Sequence, residues 1–147
     1  MNNIPKENLK RIKEFTLFDD LYMNVFFKDN LEGVQFILRL ILDKKDLIVE
    51  SVAIQEYFID LESKTSRLDV SAKDKENNRY NIEFQVIVSP ELIRRGQFYL
   101  SKIDTAMLKP GKEYHTLPET YVIFVSKGDV IGKDRPYHHF TMKDEEG

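Results

Sequence analysis

Two runs, 67–73 (RLDVSAK) and 79–88 (RYNIEFQVIV), alternate apolar and polar residues with a period of two as far as Val86 and are separated by the short polar stretch DKENN. Only a β-hairpin with one buried face reads this way, because a shift of one residue would turn every side chain to the wrong side. A register setting Leu68 opposite Phe84, Val70 opposite Ile82 and Ala72 opposite Tyr80 gives one continuous apolar face. The other face then sets Ser71 against Asn81, Arg67 against Gln85 and Asp69 against Glu83. Registers staggered by two residues keep the same faces. Like charges directly opposite destabilise a sheet by roughly 0.2 to 1 kcal/mol. Either a cation bridges Asp69 and Glu83, or this face is solvated and Arg67 or Lys73 neutralises them; alternation alone does not choose. A bridging ion held by oxygen ligands alone would be Mg²⁺ or Mn²⁺ before zinc.

The rest of the chain builds around the hairpin. Residues 16–43 read as two helices broken near Asp29-Asn30, with Thr16 and Asp19 resembling a capping box and Asn30 capping the second helix. Leu31, Val34, Ile37, Leu38 and Ile41 repeat at helical spacing. Residues 48–61 carry β-branched and aromatic residues and predict a strand. Ser89-Pro90-Glu91 predicts a helix start, and Pro110-Gly111 requires that helix to have ended; Ile93, Gly96, Leu100, Ile103 and Met107 form its expected packing stripe. TYVIFVS at 120–126 is almost continuously apolar, as a buried strand is, and a last short strand is expected near 137–142. The order αβββαβ(β) predicts an α/β fold in a single domain spanning 1–147, with 1–15 as an N-terminal extension.

Composition excludes several classes. The chain has no Cys, which rules out disulfides and thiolate metal sites and fits the reducing cytoplasm. No apolar stretch approaches a membrane span, and no secretory leader pattern opens the chain. A net charge of −3 means that nucleic-acid binding would need a local basic patch. His138 and His139 are adjacent, so on a strand they would face opposite ways and are expected at the surface. Pro118 lies between His115 and Glu119 and removes any helical pairing of those two.

The acid of RLDV, the ExQ of NIEFQ, LFDDLYM near the start, Arg95 with FYLSKID, and Gly111 and Tyr114 of KPGKEYHTLPETYVIFV resemble, in order and spacing, the PD-(D/E)xK nuclease superfamily. The likeness is to its bacterial transposase-like branch, the Rpn-type recombination-promoting nucleases, and it covers roughly residues 16 to 140. It implies a restriction-endonuclease-like fold with a central mixed sheet flanked by helices. It also implies metal-dependent hydrolysis of DNA phosphodiester bonds, with Asp69 and Glu83 as ligands of Mg²⁺ or Mn²⁺. A third acid from the first helix would be Asp20, with Asp19 close behind; the alternative for either is an ordinary first-turn carboxylate favoured by the helix dipole. Gln85 stands where the superfamily has lysine, so a neutral amide that can orient water replaces a charge. Arg95 and Tyr99, four apart on one helix face with Lys102 beyond, match the family pattern and would hold a phosphate, although an Arg packed over an aromatic is also routine. Arg94 is expected in solvent. Relatives commonly continue past the point where this chain ends in TMKDEEG, and such nucleases often act as homodimers.

Overall fold

The computed structural model describes residues 18–58, 66–86, 89–142 and 144, with the side chains of 20, 21, 55–58 and 66–68 left out. Two helices, α1 (Asp20–Phe27) and α2 (Leu31–Leu42), precede three strands, β1 (Val49–Phe58), β2 (Ser66–Asp74) and β3 (Arg79–Gln85). Helix α3 (Leu92–Met107), a 3-10 turn (Tyr114–Thr116) and β4 (Thr120–Ser126) follow. The four strands form one sheet in the order β1-β2-β3-β4. The β1–β2 and β2–β3 pairs are antiparallel, and β4 lies parallel to β3 after the α3 crossover.

The observed β2–β3 register is the expected one, with Val70 opposite Ile82, Ser71 opposite Asn81 and Ala72 opposite Tyr80. Its apolar face joins α1 and α2 in one core of Met23, Phe27, Val34, Leu38, Val70, Ala72, Tyr80 and Ile82, with Phe84, Tyr121, Ile123 and Val125 against it. The opposite face of β4, Val122 and Phe124, packs under α3 with Tyr99, Ile103 and Met107. The run of apolar residues in β4 therefore reflects two covered faces: Tyr121, Ile123 and Val125 serve one core while Val122 and Phe124 serve the other. The molecule is an α/β sandwich of helix pair, mixed sheet and single helix, as a restriction-endonuclease-like fold requires.

Local signals explain most boundaries. The side chain of Asn30 accepts from the Gly33 N–H at 2.8 Å and donates to the Phe26 carbonyl at 2.9 Å, capping α2 and tying it to α1. Asp19 occupies the N-cap position of α1, while Thr16 lies outside the described residues. β1 and β3 are shorter than expected, and residues 59–61 and 87–88 of those readings also lie outside the described residues.

Three expectations need correction. Helix α3 begins at Leu92, not at Pro90: Ser89 accepts from the Glu91 N–H through its hydroxyl and from the Leu92 N–H through its carbonyl, making a turn that precedes the helix. The packing stripe of α3 is rotated, since Leu92, Tyr99 and Ile103 are buried whereas Ile93 is 40% exposed. Gly96 belongs to the stripe because a Cβ there would sit 3.4 Å from the Phe124 ring. Residues 137–142 form no strand. Asp129 draws the backbone N–H groups of Ile131, Gly132 and Asp134 into a loop, and Pro136 lacks the N–H a new ladder would need.

Candidate active site

The polar face of the hairpin lies on the α3 side of the sheet. Asn81, Glu83 and Gln85 follow one another at alternate positions of β3, in parallel register with Val122, Phe124 and Ser126 of β4. Paired residues of β2 and β3 run from Lys73 and Arg79 to Val70 and Ile82, one step short of Asp69 and Glu83. At that step side chains take over from the ladder. The Asp69 N–H donates to Glu83 Oε1 at 3.2 Å, and the Phe84 N–H donates to Asp69 Oδ2 at 3.0 Å. Each carboxylate is thus fixed by the other's strand, which brings the two acids together at the carboxyl end of β3, where parallel α/β sheets tend to bind ligands.

Glu83 is only 2% exposed. Its carboxyl is pushed up to about 7, chiefly by burial and further by the Asp69 charge, against the opposing pull of Asn81, the Asp69 N–H and Arg95. Oε1 accepts from Asn81 Nδ2 at 2.9 Å as well as from Asp69, whereas Oε2 faces Arg95 Nη2 at 3.9 Å. Asn81 Oδ1, completely buried, has no hydrogen-bond partner among the described residues. Buried oxygens of Asn81 and Glu83 lie beside the Asp69 carboxylate, a set of oxygen ligands whose chemistry suits a hard cation. Two carboxylates with waters and a substrate phosphate are a common Mg²⁺ arrangement. Among the described residues no three His, Cys, Asp or Glu side chains converge on one point. Asp20 opens α1, but its side chain lies outside the described residues. The Phe18 ring meets Phe84 edge-on at 6.1 Å, so the chain just before α1 reaches the carboxyl end of β3 from the opposite face of the sheet.

Arg95 connects α3 to the strand residues. Its Nη1 donates to Gln85 Oε1 and its Nη2 to the Tyr99 hydroxyl, both at 3.1 Å. The guanidinium lies 5.6 Å from the Tyr99 ring centre and 5.7 Å from that of Phe124. Tyr99 is buried and reaches the site through its hydroxyl, while Arg94 is exposed and Lys102 lies over Phe98. Sequence reasoning missed Asn81, whose signal was its place two residues before Glu83 on the same face, and the Arg95–Gln85 contact, which crosses from helix to strand. His138 is half-buried beside Asp129 at 3.5 Å, not simply at the surface, and His139 is exposed.

No helix among the described residues is long and apolar enough to cross a membrane. Comparison with curated proteins and with solved structures yields no match. The family model described as PD-(D/E)XK nuclease family transposase matches residues 28–146, which contain both acids of the hairpin, the ExQ strand and Arg95. With that match over most of its length, this chain belongs to the PD-(D/E)XK nuclease family transposases.

Proposed function

We propose that the protein is a Mg²⁺- or Mn²⁺-dependent endonuclease that hydrolyses phosphodiester bonds in DNA at Asp69 and Glu83. The observation that carries this reading is the meeting of the two carboxylates, one of them buried and held near neutrality, at the carboxyl end of β3. Asp69 and Glu83 would hold the ion, with Asp20 as a third acid. A bound divalent ion would polarise the phosphate and make an attacking water more acidic. Gln85 would orient that water through its amide. Arg95, backed by Tyr99, would meet the phosphate from the α3 side of the site. A protein without cysteines suits the reducing cytoplasm. Cutting both strands of a duplex would call for two sites, hence a homodimer.

Nicking of supercoiled plasmid tests the reading. Wild type should nick with Mg²⁺ or Mn²⁺ and stop on chelation, and Asp69→Ala and Glu83→Ala should each abolish nicking; equal cleavage by all three would mean contamination. Binding of the ion is read separately by melting. Mn²⁺ at a hundred times its Kd should stabilise wild type by about 2.7 kcal/mol and leave Glu83→Ala unmoved.

A second reading, a nuclease-fold module that binds DNA or a protein without cutting, is favoured by the uncharged Gln85 and by Arg95, which already offsets part of the Glu83 charge. It predicts DNA retention that weakens with salt and no metal-stimulated cleavage.

A further inference from the structure

A phosphodiester under attack gains negative charge on its non-bridging oxygens, and a preorganised cation aimed at that charge accelerates the reaction far more than a mobile one. The strand offers a neutral amide at Gln85. Arginine has no acceptor, so the Gln85 atom facing Arg95 Nη1 at 3.1 Å must be the carbonyl oxygen, which leaves the amide NH₂ directed elsewhere. The same guanidinium is held by the Tyr99 hydroxyl at 3.1 Å and by the faces of Tyr99 and Phe124. Gly96, which follows Arg95 in the helix, faces the Phe124 ring. The Arg95 side chain remains 37% exposed, so a phosphate can reach it, and its Nη2 stands 3.9 Å from Glu83 Oε2, the oxygen turned away from the hydrogen bonds of Asp69 and Asn81.

We propose that Arg95 supplies, from α3, the positive charge that Gln85 does not bring to the strand, and that Gln85 acts on the reaction as a positioning residue by fixing the Arg95 guanidinium beside Glu83. This rests on the nuclease reading and assigns a division of labour within it. In the hydrolysis the water oxygen forms a new bond to phosphorus and one ester P–O bond breaks. The proton lost by the water and the proton gained by the leaving oxygen exchange with solvent. Arg95 contributes charge alone and takes no part in the proton exchange. An arginine that merely docks DNA would instead bind substrate and transition state equally, and its loss would appear in affinity.

Single-turnover cleavage of a labelled duplex with saturating metal, and duplex affinity measured in EDTA, separate the two roles. Arg95→Gln should slow cleavage about 100-fold, the scale expected for one preorganised donor, while leaving the metal-free Kd nearly unchanged. Arg95→Lys should retain part of the rate. The decisive variant is Gln85→Lys in the Arg95→Gln background, which returns a cation from the strand and should recover most of the lost rate. Far-UV CD and melting confirm that each variant is folded. Wild-type cleavage rate in Arg95→Gln, a loss of rate matched by an equal loss of metal-free affinity, or no recovery in the double variant would each overturn this inference while leaving the nuclease reading intact. Absence of cleavage by wild type would overturn both.

Discussion

The β2–β3 hairpin buries one carboxylate at each end and treats them in opposite ways. At the turn, Asp74 is 5% exposed and accepts four hydrogen bonds, from the Glu76 and Asn78 N–H groups, Asn78 Nδ2 and the Tyr80 hydroxyl. Burial pulls its carboxyl upward, but those donors outweigh burial and hold it below the usual range. At the open end, Glu83 is more deeply buried, at 2% exposed, and among the described residues accepts two hydrogen bonds, both on Oε1, with an arginine at 3.9 Å from the other oxygen and an acid beside it. A buried carboxylate with a full set of donors stabilises a turn, whereas one left short of donors costs stability and is kept for chemistry. The contrast favours the open end of the hairpin as the place of the proposed chemistry without reference to any motif.

Glu83→Gln should break that contrast most sharply. Cleavage should vanish, yet the fold should gain stability, because the amide keeps the acceptor for Asp69 and Asn81 without the buried charge. The folded carboxyl titrates at about 7 against 4.5 for its ordinary value. The folded state therefore holds its proton more tightly than the unfolded state. The associated stability is full below 4.5 and is lost as pH rises through 7, amounting to about 1 to 3 kcal/mol. Urea unfolding in EDTA at pH 5 and pH 8 should show wild type weakening over that window and the variant not. Parallel pH profiles would mean that Glu83 ionises without strain.

Asp74→Ala should do the reverse. Stripping the acceptor from four donors should destabilise by about 2 to 4 kcal/mol, and cleavage per folded molecule should remain, since the turn lies at the other end of the strands. The pH sign also reverses. A carboxyl held low contributes stability above its ordinary pKa of 3.8 and loses it as pH falls through the folded value, so wild type but not the variant should weaken on the acid side. Loss of cleavage in molecules shown by CD to be folded would mean that the two ends are coupled.

The hairpin could be read from sequence because its period of two fixes both faces, and β4 because a strand covered on both sides must be apolar throughout. The Asn30 cap was legible for a similar reason: its acceptor lies within one turn of the donor it serves. What escaped is set by approach geometry. The face of α3 that buries depends on how the helix lies across Phe124, so Tyr99 proved part of that core and Ile93 did not. The Arg95–Gln85 bond joins a helix to a strand across a loop, and no local pattern encodes it. Asp69 and Glu83 were placed side by side by register, but the bonds from the Asp69 N–H to Glu83 and from the Phe84 N–H to Asp69 follow from the ladder giving way at Val70 and Ile82, which alternation cannot foretell.

The finest test of the contrast removes one donor from the satisfied end. Tyr80→Phe deletes the 2.7 Å hydroxyl bond to Asp74 and keeps the ring, which stacks on Tyr121 at 5.1 Å and 11°. Three donors remain on the carboxylate, so the cost should be about 1 kcal/mol, the size of one hydrogen bond with its partner still solvated by others. The Asp74 carboxyl should rise with the loss of a donor that held it down, and the acid limb of the stability curve should shift to higher pH. A cost as large as that of Asp74→Ala would mean that the Tyr80 hydroxyl alone holds the turn and that the remaining three bonds are bystanders. A cost near zero would mean that Asp74 is over-supplied with donors, and the difference from Glu83 would then be one of degree at a single oxygen.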